Sequence, residues 1–527
     1  MSTFSTTKLT LGCLTLGALL FSFFLMFDTF SYDGGKHEIR IASKLWSDFG
    51  AHIPLIRSFS YGPNLTRLLH GQPVESPLFP GEPIRYHFGF YALVGVLEKL
   101  GIRIDWALNL PSALGFFLLL ILIFRLSYVL FANNSVALLS VLFFLFNGSL
   151  SFLKFFQTHT IADVVTNTKF PSFGPWDGGG ITAFWNLNIY TNQRHLALSY
   201  AIVLALLIIR QRPVLTAVLL SFLLFTNYAA FAIAGLWLAW VFWREHSERT
   251  PLAVAALLTL PALLWLQRVA NLSSVIIWEP GYLARTTHVV LFWWQNLGAH
   301  MILIPLGLVF ASQAIRSRFG PPLLALFILP NLFRFSPDMI NNHKFFNFFL
   351  ILGSMFSAYA VVRIGQMRLV GRIGQICLIF LLTLSGIIDF FPVINDYKGS
   401  IADVVASPDA QFFATQTKPA DVVANSTWFY HPASLAGRSI YSGYTYFTWS
   451  YGYDQVMRET TLRAIYEAPT RQTLCHLLTQ HSIALVELNQ RPESYLAPNW
   501  KLWNDLSSAY ENPDTNLKFY ETKTICP

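Results

Sequence analysis

Long apolar runs separated by short polar stretches dominate the chain. Runs at 9–27, 108–130, 136–153, 196–209, 213–226, 229–243, 252–266, 301–315, 321–332, 345–362 and 373–391 read as membrane spans, eleven in all. Several fall short of the ~20 residues that a perpendicular helix needs. The first run follows Lys8 and has no small-residue cleavage site after it, so it reads as an uncleaved span rather than a signal peptide. From residue 395 the pattern changes. Asp421-Val422-Val423-Ala424, Arg438-Ser439-Ile440-Tyr441 and Ile483-Ala484-Leu485-Val486-Glu487-Leu488 read as strands, and 455–467 and 471–480 as helices. Such alternation predicts a small α/β domain. The expected fold class is therefore mainly α: a polytopic helical membrane bundle over 1–394, with a long first external loop at 28–107, and a C-terminal extracytoplasmic α/β domain over 395–527.

Charge placement orients the bundle. With the N-terminus in the cytoplasm, alternation sends Arg210, Arg212, Arg244, Arg249, Arg316, Arg318, Arg363, Arg368 and Arg372 inward, as the positive-inside rule asks. This holds only if the short run at 87–101 does not cross, so it is assigned as a juxtamembrane helix. The polar pieces 28–86, 154–195, 270–300 and 334–344, with the tail, then share the external face of a plasma or inner membrane.

Composition agrees: 54% of residues are hydrophobic and 12% charged. The net charge of +8 comes from loops between spans, which argues against nucleic acid as a partner. No Walker-type loop, His-Glu-x-x-His or Cys-x-x-Cys occurs. Cys13 and Cys377 lie in apolar runs, while Cys475 and Cys526 in the tail are either a disulfide or two free thiols. Sequons at Asn64, Asn271 and Asn425 fall on the expected outer side.

The first external loop concentrates the chemistry. Asp48 and His52 are four apart, so a helix capped by Ser47 puts them on one face, with Arg57 further along. A carboxylate at the membrane surface can deprotonate a hydroxyl or hold a divalent cation, and it can equally cap the helix or neutralise Arg57. Phe79 to His87 brings the loop back through Glu82, Arg85 and His87, placed either against lipid phosphates or as interfacial anchors. Gln193, Arg194 and His195 precede a span and suit a phosphate or sugar hydroxyls, or helix-end anchoring. Trp176 and Trp185 can stack on a sugar, and Asp177 beside them suits a turn. Arg334, Asp338, Asn342, His343 and Lys344 form the last polar knot. Lys344 opens an apolar run from the external side, against the positive-inside bias, which favours holding an anion over snorkelling. The aromatic stretch 443–454 covers an acceptor or packs the tail.

The uncleaved first span, the long first external loop with an acidic residue near its start, the juxtamembrane helix, the dozen or so spans and the external α/β tail together resemble the GT-C superfamily of integral-membrane glycosyltransferases. That resemblance implies a polyprenyl-phosphate-linked sugar donor and a glycan, lipid or protein acceptor. It implies Asp48 as catalytic base or metal ligand (Mg or Mn), with Asp33 and Asp28 as rivals, and Lys344 against the donor phosphate, followed by Arg194, His343 and Arg334. Many members carry two acidic residues in this loop. Here Ser47 and Phe49 flank Asp48, which leaves His52 to stand in for the second and leaves a metal-independent mechanism open. The rival reading is a transporter or flippase for a lipid-linked or anionic substrate, which requires ionisable residues at mid-span and broken helices.

Overall fold

In the computed structural model the described residues are 2–171, 187–209, 211–270, 276–285, 287–493 and 495–526. Trp176, Asp177, Trp185, Arg210 and the Asn271 sequon lie outside them. Proximity along the backbone divides the chain into two compact units. One comprises Met1–Thr29, Asn109–Ala262 and Ser274–Tyr397; the other comprises Phe30–Leu108, Leu263–Ser273 and Lys398–Pro527.

The first unit is helical. Among the described residues five helices are long and apolar enough to cross a membrane, and a sixth if the bent pair Val289–Leu297 and His300–Phe310 counts as one span. Shorter apolar helices run over Asn134–Leu145, Leu196–Ile208, Pro213–Thr226 and Tyr228–Arg244. Every apolar run of the sequence lies at least partly in a helix, but two runs are broken. Residues 136–153 stop being helical at Leu145 and resume at Ser151–Phe155. Residues 301–315 divide after Phe310, where Ser312 caps the next helix by accepting from the Ile315 N–H at 3.4 Å. Local hydrogen bonding by a small polar residue overrides apolar continuity there. The span Met339–Gly365 is the most enclosed, with 89% of its apolar window buried. The His300–Phe310 helix meets it so closely that a methyl group at Gly307 would collide with the Phe356 carbonyl.

The second unit is built around the helix Trp46–Ser60, in which every residue from Phe49 to Ser60 is buried. A short 3-10 turn, Ser43–Leu45, leads into it, so Ser47 is an inner residue rather than the cap. The helix Gly89–Lys99 packs along it; its 11 residues extend roughly 16 Å, about half the apolar thickness of a bilayer. A three-stranded antiparallel sheet joins Phe30–Asp33, Glu38–Ala42 and Lys398–Ala402, with Ile39 opposite Ile401. A five-stranded sheet runs in the order Tyr510–Asn512, Leu517–Glu521, Leu485–Asn489, Val422–Ala424, Ser439–Ile440, and its last three members are parallel. Helices Gln455–Tyr466 and Arg471–Gln480 pack on it through Leu462, Ile465, Leu474 and Leu478. Cys475 is bonded to Cys526, tying the second of these helices to the last turn of the chain.

Candidate active site

Asp48 occupies the first turn of the Trp46–Ser60 helix and is half-buried. Tyrosines from distant parts of the second unit gather round it. Burial pushes the Tyr86, Tyr430 and Tyr451 hydroxyls well above their ordinary pKa, and the Asp48 charge adds to each shift. All three therefore stay protonated and able to donate. The Tyr86 and Tyr451 rings lie 5.0 Å apart, and the Tyr430 ring meets Trp46 edge-on at 4.6 Å while its hydroxyl donates to the Trp46 carbonyl. His52, one turn beyond Asp48, is buried and stacks on Tyr91 at 4.7 Å, with Phe49 on its other side at 5.6 Å. His52, Tyr86, Tyr451 and Tyr453 line a small hollow closed by Leu55 and Leu78. Pro54 removes one N–H from the middle of the helix, and Gly50 leaves room for the Phe429 ring.

Arg57 is 1% exposed, and both of its terminal nitrogens are engaged. Its Nη2 lies 3.0 Å from both Glu98 Oε1 and Asp403 Oδ1, and its Nη1 donates to the Leu435 carbonyl at 3.2 Å. Ser60 donates to the other Glu98 oxygen at 2.6 Å. Burial pulls the guanidinium pKa down, yet Glu98 and Asp403 outweigh it and hold Arg57 charged. This cluster fixes the helix bearing Asp48 against the Gly89–Lys99 helix and the start of the tail. Glu82 and Arg85 pair at 3.2 Å. Arg85 also donates to the Gly452 carbonyl and lies over the Tyr453 ring, whose hydroxyl donates to the Pro83 carbonyl at 2.8 Å. Burial raises the Tyr453 hydroxyl to about 12. His87 is buried beside Tyr86, ring centres 3.7 Å apart.

Asp33 shapes the turn of the first hairpin. Its Oδ1 accepts from the Gly35 and Lys36 N–H groups and Arg40 pairs with its other oxygen, so backbone donors hold its pKa below the usual carboxylate range. Asp28 lies near the end of the Ser2–Thr29 helix and is half-buried. The sequon amides are also occupied: Asn64 donates to Ser58 and the Glu75 carbonyl, Asn425 to the Thr427 and Ser442 carbonyls, and both residues are buried.

The remaining candidates belong to the first unit. Arg194 is fully buried and donates to the Met26 carbonyl, Thr29 Oγ1 at 2.9 Å and Asn109 Oδ1 at 3.2 Å, binding the end of the first helix to the start of the second; His195 beside it is buried too. Arg334 pairs with Glu279 at 2.8 Å and donates to the Pro337 carbonyl. Asp338 caps the turn Met339–Asn342. His343 and Lys344 open the helix His343–Gly365, both buried, with Tyr200 donating to the Lys344 carbonyl.

Sequence reasoning missed Tyr430, Glu98 and Asp403. A glutamate in a short, otherwise apolar helix was a usable signal for Glu98; nothing local marks the other two. Among the described residues no three His, Cys, Asp or Glu side chains gather into a metal-holding group.

No family model and no curated protein matches the sequence. Solved structures similar to this chain include the oligosaccharyltransferase of Archaeoglobus fulgidus in the apo form, at 11% identity over 90% of this chain and 69% of that one, TM-score 0.49. The same protein in complex with Zn and sulfate matches at 10% identity over 96% and 73%, TM-score 0.49. ArnT from Cupriavidus metallidurans bound to undecaprenyl phosphate matches at 13% identity over 97% and 98%, TM-score 0.48. Both proteins are of the GT-C class that the sequence resembles, and at TM-scores under 0.5 the likeness carries no further argument.

Proposed function

We propose that this chain is an integral-membrane glycosyltransferase that moves a sugar from a polyprenyl-phosphate donor to a glycan, lipid or protein acceptor on the extracytoplasmic face. The observation that carries this reading is Asp48, half-buried at the start of an enclosed helix, with the buried tyrosines Tyr86, Tyr430 and Tyr451 close enough to feel its charge. Asp48 takes the proton of an acceptor hydroxyl as that oxygen attacks the anomeric carbon. The bond from that carbon to the phosphate oxygen breaks, and polyprenyl phosphate leaves with the electron pair. One displacement inverts the anomeric centre. The neutral Tyr451 hydroxyl orients the acceptor by donating to its oxygen, the Tyr430 proton being held by the Trp46 carbonyl, and His52 keeps the wall of the hollow in place. The leaving phosphate is assigned to Lys344 and Arg194, with His343 and Arg334 behind them. The eleven-span arrangement, with the N-terminus in the cytoplasm and the tail outside as an acceptor-handling α/β domain, belongs to the same proposal.

The test is incubation of the reconstituted protein with a panel of polyprenyl-phosphate sugars and candidate acceptors. One sugar should be consumed by the wild type and spared by Asp48→Asn. Unchanged consumption by a folded Asp48→Asn protein overturns the mechanism. One feature favours the transporter reading: Val289–Leu297 and His300–Phe310 meet at 78°, a broken span of the sort carriers use. Among the described residues no second bent pair matches it, and counterflow of a lipid-linked sugar in proteoliposomes without transfer would decide for that alternative.

A further inference from the structure

A second polar cavity lies in the first unit, among the ends of five helices. The helices Leu196–Ile208 and Tyr228–Arg244 end at it, and Pro213–Thr226, His246–Val269 and Gln313–Leu332 begin at it. Its polar lining is Gln211, Arg212, Thr216, Glu248 and Arg318. Arg194 and His195 precede the first of these helices and Arg334 follows the last, so the basic groups assigned to the donor stand at the opposite helix ends. Arg318 is separated from Leu332 by roughly 20 Å of helix.

Arg318 is nearly enclosed, with 13% of its side chain exposed, and its Nε sits 3.4 Å from Glu245 Oε1 without a hydrogen bond. Its turn is pinned by two donors to Ser317, Trp240 Nε1 at 3.2 Å and Arg244 Nη2 at 2.8 Å. Glu248 is 5% exposed, and its carboxylate accepts from the Gln211 N–H at 3.4 Å. Gln211 reaches it in the left-handed region, φ 53°, which a residue with a side chain rarely adopts. The surrounding rim is basic, with Arg212, Arg244, Arg249 and Arg316 against Glu245. The rest of the cavity wall is apolar, including Leu207, Trp237, Val241 and Leu252. Outside it Val214, Val218 and Trp243 are 58–68% exposed, side chains suited to acyl chains and not to water.

We propose that this cavity seats the head group of a membrane phospholipid, with the phosphodiester against Arg318 and Arg212 and a head-group amine against Glu248. A guanidinium with a spare buried donor, a rim of the same sign and apolar walls opening on a lipid-facing surface are what a phosphodiester lipid recognises. Glu248 in the same hollow adds a preference for an amine-bearing head group over an uncharged or polyol one. The lipid holds five helix ends together.

The test uses full-length protein stripped of lipid in detergent, followed by native mass spectrometry and thermal unfolding with added phosphatidylethanolamine, phosphatidylglycerol, diacylglycerol or inorganic phosphate. Phosphatidylethanolamine should be retained best and raise the melting temperature most. Arg318→Gln should weaken retention of both phospholipids about tenfold, the value of one charge-assisted hydrogen bond. If that variant does not fold, the exposed Arg212→Gln gives the same readout. Glu248→Gln should erase the preference for phosphatidylethanolamine over phosphatidylglycerol while leaving both bound. Equal protection by diacylglycerol or by inorganic phosphate, or a preference that survives Glu248→Gln, overturns the proposal. Sugar consumption by Arg212→Gln should stay at the wild-type level, so failure here is separable from failure of the transferase reading.

Discussion

The two units handle buried polarity differently, with Arg194 of the first unit, which bridges Met26, Thr29 and Asn109, as an exception. In the apolar helices of the first, hydroxyls turn back on their own helix: Ser22 donates to the Ala18 carbonyl at 2.6 Å, Ser140 to Val136 at 2.7 Å and Thr259 to Ala255 at 2.8 Å. Lipid offers no partner, so polar groups are satisfied locally and packing sets the arrangement. In the second unit whole charges are buried in clusters that join segments far apart in sequence. Arg57 holds Glu98 and Asp403, and Glu487 accepts from the N–H and hydroxyl of Ser426 and the N–H and hydroxyl of Thr427 while facing His431 at 3.3 Å. Removing one member of such a cluster leaves a buried charge without its partner. The lesson is that the first unit should yield gradually to substitution and the second abruptly.

Asp48→Asn should give the largest effect, lowering sugar transfer by about 10²–10⁴-fold without moving the thermal transition, measured as turnover and melting temperature on one preparation. Next, Arg57→Met should cost about 3–5 kcal/mol, because it strands two buried carboxylates; the triple variant with Glu98→Gln and Asp403→Asn should recover part of that loss. If Arg57→Met alone is harmless in a denaturant titration, the buried cluster is not what distinguishes the second unit. Opening the Cys475–Cys526 bridge with Cys475→Ser and Cys526→Ser should cost about 2–4 kcal/mol, read from the same titration.

Glu487 gives a pH signature. Burial pushes its carboxyl up, but His431 and the Ser426 donors outweigh burial and hold it below the usual range. A carboxylate depressed in the folded state contributes stability above its unfolded pKa, near about 4.3, and loses it as pH falls through the folded value. Stability should therefore drop on acidification below about pH 5, and Glu487→Gln should flatten that part of the profile. The smallest effect belongs to the first unit. Ser127 and Ser140 share a hydrogen bond of 2.9 Å between neighbouring helices, and Ser127→Ala should cost only about 0.6 kcal/mol. A cost several times larger would erase the contrast between the units.

How far the sequence could be read follows the same division. Apolar runs announce helices because burial in lipid acts residue by residue, and the tail strands at 422–424 and 439–440 announce themselves by β-branched residues between turns. The hairpin Phe30–Asp33 with Glu38–Ala42 also carries its period-two signal, Ile39 and Ile41 buried against exposed Arg40, but it sits beside the first apolar run and is easily merged with it. Asp48 and His52 were legible as a pair one turn apart. The role of Arg57 was not, because its partners are 41 and 346 residues away, and no local pattern encodes a contact of that range. Ser47 was a plausible cap, yet the 3-10 turn before Trp46 starts the helix two residues earlier. The tyrosine ring was hidden for the same reason, since Tyr430 and Tyr451 come from the tail.

The pairing of Glu38–Ala42 with Lys398–Ala402 has a consequence for biosynthesis. A ribosome making this chain N-terminus first releases the middle strand of that sheet, and the arginine that waits for Asp403, hundreds of residues before their partners. Until then Arg57 has Glu98 alone, and the loop carrying Asp48 lacks its third strand. Nascent chains arrested before residue 398 should leave that loop open to protease, and chains arrested well past residue 440 should close it, so the loop carrying Asp48 is completed only after the tail strand has been made.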